Sequence, residues 1–149
     1  GTTFTVLLPA VDDLKERSSR EIIQLDSLFS KHVLVVDDEK IIRTMLDRVI
    51  SDMGGEVTQV ADGVEAVALF REKHKTIDLV ILDMVMPNMT GEISFHILKE
   101  IEPDIPIILA SGFDRNSSIV GLLEAGAAGY LHKPFNIGEL RDLLNSKAR

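Results

Sequence analysis

Cysteine is absent from this chain of 149 residues, which excludes disulfides and thiolate-ligated metals and suits a reducing compartment such as the cytoplasm. Long hydrophobic runs are missing as well. No stretch approaches the roughly 18 consecutive apolar residues of a membrane helix, so a soluble fragment without membrane contact is expected. Cationic patches are equally scarce: 16 Lys and Arg face 24 Asp and Glu, for a net charge of −8, and such a surface repels nucleic-acid phosphates. Neither a start methionine nor a signal peptide opens the sequence at Gly1, which reads as a piece of a longer protein. What is present suffices for one ordinary domain with a short appendage, since 45% of the residues are apolar and single domains cluster at about 100 to 150 residues. The excess of acid raises a sharper question, namely whether several carboxylates converge on one point.

From His32 onward, short apolar runs alternate with segments of helical spacing, the pattern of a parallel α/β sheet. The runs 32–36, 57–60, 78–82, 105–110 and 128–131 predict five strands. Between them Ile41, Ile42, Met45, Leu46, Val49 and Ile50 recur at helical spacing. So do Val64, Val67 and Ala68; Ile93, Ile97, Leu98 and Ile101; Ile119, Leu122 and Leu123; and Ile137, Leu140, Leu143 and Leu144. Asp62-x-x-Glu65 and Asn136-x-x-Glu139 have the form of capping boxes, and Gly54 and Gly126 stand where helix ends take a left-handed residue. Five βα units with right-handed crossovers predict a doubly wound five-stranded parallel sheet of order 2-1-3-4-5 with five helices, the flavodoxin-like arrangement. Ligands bind there beyond the carboxyl ends of the strands.

Strand one runs directly into Asp37-Asp38 and strand three into Asp83, so three carboxylates are expected at one edge of the sheet. Crowding them is costly without a cation, and oxygen-only ligands at a wet rim suit a hard ion such as Mg²⁺. Ser111 follows strand four and Lys133-Pro134 follows strand five, adding a hydroxyl and an ammonium. Taken singly, each piece has an ordinary reading: a helix cap, a turn, a solvated lysine. Taken as an ordered set, one per strand end, they make up the parts for phosphoryl transfer to a carboxylate.

The runs Val33-Leu34-Val35-Val36-Asp37-Asp38-Glu39, Ile81-Leu82-Asp83-Met84-Val85-Met86-Pro87-Asn88-Met89-Thr90-Gly91, Ala110-Ser111-Gly112 and Tyr130-Leu131-His132-Lys133-Pro134-Phe135 resemble the motifs of the response-regulator receiver family, across residues 31–149. The resemblance implies that Asp83 accepts a phosphoryl group from phosphohistidine. It implies that Asp38, Asp83 and the Val85 backbone carbonyl bind Mg²⁺ directly, with Mn²⁺ as a substitute, and that Asp37 acts through a bound water. Lys133 would hold a phosphoryl oxygen, while Ser111 and Tyr130 would form the switch that remodels the face of helix four, strand five and helix five. The family tunes phosphoryl lifetime at positions that here hold Val85 and Phe113, both apolar, so slow self-hydrolysis is expected. By the same resemblance the fragment catalyses its own phosphorylation and dephosphorylation without being a kinase. His32, His74, His96 and His132 lack metal-ligand spacing and are assigned no role, and Met84, Met86 and Met89 are read as an apolar loop wall.

Gly1-Thr2-Thr3-Phe4-Thr5-Val6-Leu7-Leu8-Pro9 has no place in a five-stranded receiver. It resembles the end of a histidine-kinase ATP-binding domain, where a Gly-Thr-x-Phe segment leads into a strand ending in Leu-Pro. That likeness implies the C-terminal piece of a hybrid sensor histidine kinase: residues 1–9 a kinase remnant, 10–30 a partly helical linker, 31–149 the receiver. The parent would be a histidine protein kinase, with any membrane anchor outside this fragment. Its partners would be the dimerisation and phosphotransfer domain in the same chain, a separate histidine phosphotransfer protein, or a second copy. In the linker, Ser18-x-x-Glu21 precedes Ile22, Leu25, Leu28 and Phe29 on one helical face, a stripe expected to pack on the receiver, a second copy or the kinase. Two other classes compete. A pseudo-receiver that never turns over phosphate is opposed by the intact Asp37, Asp38, Asp83, Ser111 and Lys133. A flavodoxin-like cofactor binder is opposed by acids where a phosphate cradle would need glycines or hydroxyls.

Overall fold

A computed structural model of the chain describes residues 30–112 and 116–147. Residues 1–29, where a kinase remnant (1–9) and most of a linker (10–30) are expected, and Phe113 lie outside the described residues. The elements run β1 (His32–Val36), α1 (Lys40–Asp52), β2 (Glu56–Val60), α2 (Gly63–Lys73) with a short 3₁₀ turn (His74–Thr76), β3 (Leu79–Asp83), α3 (Gly91–Ile101), β4 (Ile107–Ser111), α4 (Ser117–Glu124), β5 (Gly129–His132) and α5 (Ile137–Lys147). All four ladders are parallel, in the order β2-β1-β3-β4-β5. The expected doubly wound sheet is therefore present.

β1, β3 and β4 are covered on both faces, which is why they read as unbroken apolar runs rather than as alternating strands. Alternate residues feed two separate cores. Leu34, Val36, Val80 and Leu82 pack with Phe70 of α2, Phe95 of α3 and Leu122 of α4. Val33, Val35 and Ile81 pack with Leu46 and Ile50 of α1 and Leu140 and Leu144 of α5. Each fully buried aliphatic contributes roughly 1.5–3 kcal/mol to this arrangement.

The helix punctuation follows the sequence signals. Asp62 accepts the Glu65 N–H at 2.8 Å, and the Glu65 carboxylate reaches back to the Ala61 N–H at 3.2 Å. Asn136 and Glu139 exchange both bonds, at 2.9 and 3.2 Å. Gly54 and Gly126 adopt φ of 89° and 105° after α1 and α4, a region where a β-carbon is strained. Two caps were not read from sequence: Thr90 accepts the Ile93 N–H of α3 and Asn116 the Ile119 N–H of α4.

Strand bounds and helix faces shift: β2 begins one residue earlier, at Glu56, and β5 lies one residue later, at Gly129–His132. β3 begins at Leu79 and includes Asp83, and β4 begins at Ile107 and includes Ser111, because the ladder pairs Asp83 with Ala110 and Ser111 with His132. On α2 the buried stripe is Ala66, Val67 and Phe70, while Val64 and Ala68 face outward. Ile41, Ile93 and Ile137 are also exposed on their helices. Among the described residues no helix is long and apolar enough to cross a membrane.

Candidate functional site

β1 and β3 are neighbours, yet the chain leaves them for opposite faces of the sheet, so a crevice opens beyond their carboxyl ends. Asp37 and Asp83 stand there, 2% and 3% exposed, with Asp38 in solvent beside them. Each of the three offers a carboxylate oxygen, all within 4.8 Å of one another. Lys133 enters from the end of β5. Its Nζ lies 2.7 Å from Asp37 Oδ2, 3.4 Å from Asp83 Oδ2 and 3.7 Å from Glu39 Oε1. The Lys133 N–H donates to the Ser111 carbonyl at 2.7 Å, which ties β5 to β4 at the rim, and the Lys133–Pro134 peptide bond is cis.

The carboxylates are held from the backbone side. Asp37 Oδ1 accepts the Glu39 N–H at 2.8 Å, and Asp83 Oδ1 accepts the Val85 N–H at 3.2 Å. Arg43 donates to the Asp37 carbonyl at 2.6 Å. Burial pushes the Asp83 carboxyl up from 3.8 to about 6, against the downward pull of the Val85 N–H and the Lys133 charge. Burial also works to lower the Lys133 ammonium, but its bond to Asp37 and the charges of Asp83 and Asp37 outweigh this and raise it. Three acids against one ammonium, all donors oxygen and two of them buried, fit a hard divalent cation as the missing countercharge.

The remaining residues divide. Val85 is 55% exposed and lines, with Asp38, Asp83 and Lys133, a cleft of about 580 Å³. Ser111 is buried and lines a smaller adjoining cavity of about 190 Å³, which shares Val85 and includes Met84 and Thr90. Tyr130 lies half-buried in β5 against the core on the α2–α4 side, its ring 6.2 Å from that of His132. Met86 is buried, and Met84 and Met89 pack on the same core, so the methionines are a loop wall. Sequence reasoning gave no role to Arg43 or Glu39, although both stand in the first turns after Asp38. It also missed His32, whose ring bonds Thr76 O at 2.9 Å and Thr58 Oγ1 at 2.8 Å and so fastens the opposite edge of the sheet.

The loop after β3 depends on close backbone approach. The Gly91 N–H donates to Met84 O at 3.2 Å, and a β-carbon at Gly91 would fall on the Asp83 carbonyl oxygen and 2.6 Å from Met84 Cα. Neither is a movable side chain. Gly91→Ala is therefore expected to destabilise the protein by about 1–3 kcal/mol, as overpacking does, read as a lowered urea midpoint. An unchanged midpoint would mean that α3 can shift without cost.

Three comparisons bear on this geometry. A family model described as the response regulator receiver domain matches residues 33–145. A probable transcriptional regulator, ycf27, of Porphyridium aerugineum is 37% identical over 119 residues, covering 78% of the chain and 48% of the regulator. Sensor kinase CckA of Brucella abortus is 30% identical over 148 residues, covering 94% of the chain and 16% of the kinase. The chain thus spans about half of the first relative and a small part of the second. Among solved structures, the receiver domain of a sensor histidine kinase from Pseudomonas aeruginosa PAO1, with a magnesium ion coordinated in its active site cleft, superimposes with a TM-score of 0.71. It is 26% identical, and the match covers 80% of this chain and 98% of that one.

Proposed function

The chain belongs to the response regulator receiver domain family of two-component signalling, and on that premise we propose that Asp83 accepts a phosphoryl group from a phosphohistidine. The observation that carries this is the placement of Asp83, buried at the end of β3 with a carboxylate oxygen 3.4 Å from Lys133 Nζ and two further acids beside it. An Asp83 oxygen attacks phosphorus, a P–O bond forms, the P–N bond breaks and the imidazole leaves with the electron pair. The Lys133 ammonium, already in reach, meets a phosphoryl oxygen and offsets its charge. Asp38, Asp83 and the Val85 carbonyl would hold Mg²⁺, or Mn²⁺ in its place, with Asp37 acting through water; bound there, the ion neutralises the acids and the phosphoryl oxygens. The magnesium in the Pseudomonas cleft supports that assignment.

Ser111 and Tyr130 form the switch in this reading: the Ser111 hydroxyl moves toward the phosphoryl group and Tyr130 follows inward, biasing an equilibrium between two arrangements. The test is to incubate the chain with Mg²⁺ and acetyl phosphate and map the modified peptide. An acid-stable, base-labile mass increase on Asp83 is expected; no label, or label elsewhere, would leave only the pseudo-receiver. Hydrolysis of that acyl phosphate should be slow, because the Val85 side chain at the cleft and Phe113 offer no polar group to orient water. Val85→Asn with Phe113→Glu should shorten the lifetime by roughly tenfold, less than the roughly 10²–10⁴-fold of a full general acid or base, because these groups would only orient the water. A lifetime unchanged or longer would count against it.

The context proposed is a hybrid sensor histidine kinase, with the donor histidine in the same parent chain and onward transfer to a phosphotransfer histidine. The match to the sensor kinase covers 94% of the chain and so takes in part of the segment before residue 31. A free-standing regulator is the second reading, favoured by the regulator match, which covers 78% of the chain.

A further inference from the structure

Helix α1 begins at a residue that does not cap it. The N-cap position is held by Glu39, in extended backbone and without a side-chain hydrogen bond to the helix, where Ser, Thr, Asp or Asn would ordinarily accept an N–H of the first turn. The Glu39 backbone is pinned all the same. Its N–H donates to Asp37 Oδ1 at 2.8 Å, and its carbonyl accepts the Ile42 and Arg43 N–H groups at 3.1 Å. The carboxylate reaches the other way, to the mouth of the cleft, where Oε1 stands 3.7 Å from Lys133 Nζ with the side chain 58% exposed. Asp37 and Asp83 both lie closer to that ammonium, so Glu39 is only its third partner.

Charge balance gives that position a consequence. Asp37, Asp38 and Asp83 are set against Lys133 and a divalent ion, which together would offset all three. Glu39 stands outside that set and adds a further negative charge at the rim. Beside it the cleft is walled by Ile42, Val85, Gly112 and Pro134, and Lys133 is the one cation among the described residues that line it. Asp83 meets phosphorus from the floor of the cleft, so in an in-line displacement the departing group points out through the mouth, past Glu39. A departing nitrogen base that arrives with a positive charge is attracted there. A departing carboxylate, on which negative charge grows as the P–O bond breaks, is repelled.

We propose that Glu39 selects the phosphodonor by the charge of its leaving group, favouring a protonated nitrogen base over a carboxylate. The inference rests on the reading of Asp83 as acceptor. Phosphoramidate and acetyl phosphate test it on the full chain, because both bring the same phosphoryl group to Asp83. With the first, the P–N bond breaks and the nitrogen, protonated beforehand, leaves as ammonia with the electron pair. With the second, the P–O bond breaks and acetate leaves with the pair. Rates of label incorporation at neutral pH and saturating Mg²⁺, followed by intact mass, give the ratio of acetyl phosphate to phosphoramidate. That ratio is expected to rise about threefold in Glu39→Gln and about tenfold in Glu39→Lys, the scale of one or two unit charges acting across a wet cleft. Both gains should shrink in about 0.5 M salt, which screens exposed charges. Glu56→Gln removes the same charge at the amino end of β2, opposite the cleft, and should leave the ratio unchanged. A ratio unmoved in both Glu39 variants would overturn the proposal, including the case in which the two rates change together, since Glu39 would then act on Lys133 and not on the leaving group. A ratio moved equally by Glu56→Gln would overturn it too, in favour of net charge. No label on wild type from either donor would overturn the acceptor reading and this inference with it.

Discussion

Lys133→Ala is expected to slow phosphoryl acceptance at Asp83 by about 10²–10³-fold, the usual cost of losing one preorganised charge from a transition state. Lys133 is the ammonium that reaches both Asp37 and Asp83, and its side chain is largely buried where it does so. Its loss removes the group that would meet a phosphoryl oxygen and leaves the three acids to a metal ion alone. The initial rate of label incorporation from a small phosphodonor at saturating Mg²⁺ measures this. A rate within threefold of wild type would show that Lys133 serves structure only. Arginine should rescue poorly, because its planar fork cannot occupy the position of a compact ammonium 2.7 Å from Asp37.

Asp83→Asn is expected to take no label and, in metal-free buffer at pH 7, to be more stable than wild type by about 2 kcal/mol. The sign follows from the direction of the shift. Asp83 ionises near 6 in the fold against an ordinary 3.8, so the folded state binds the proton more tightly than the unfolded chain does. Wild type then carries the penalty of a buried, crowded carboxylate above pH 6 and sheds it progressively as pH falls toward 4. Asparagine keeps an oxygen for the Val85 N–H and never carries the charge. The stability gap between the two proteins, from urea midpoints in chelator, should therefore be wide at pH 7 and narrow at pH 5. Saturating Mg²⁺ should narrow it as well, since the ion binds the folded wild type better. A variant less stable than wild type at pH 7 would sink this account.

The acid set was legible because a parallel sheet places strand ends together whatever the intervening sequence. Asp37, Asp38, Asp83 and Lys133 needed only the strand assignments and their order. Helix orientation was harder to read. Counting apolar residues at helical spacing credits Ile41, Ile93, Ile137 and Val64 to the core, and all four are exposed; it passes over Phe70 and Phe95, which are buried. Spacing reports that a stripe exists but not which of two overlapping stripes meets the sheet. Arg43 and Glu39 escaped for a related reason. Their roles depend on α1 starting at Lys40, directly after the acids, and helix starts are poorly fixed by pattern alone. Ser111 was found by its position after an apolar run, but that it faces the smaller cavity with Met84 and Thr90 is a matter of three-dimensional packing.

The sheet that divides the two cores also works as insulation. Tyr130 packs with the residues of α2, α3 and α4, whereas Leu131, its neighbour in β5, packs with those of α1 and α5. Among the described residues the two buried clusters lie on opposite faces of the sheet, so repacking either half should add to, rather than interfere with, repacking the other. A rotation of Tyr130 would then be felt first on its own side of the sheet, with α1, on the far face, the last element to register it.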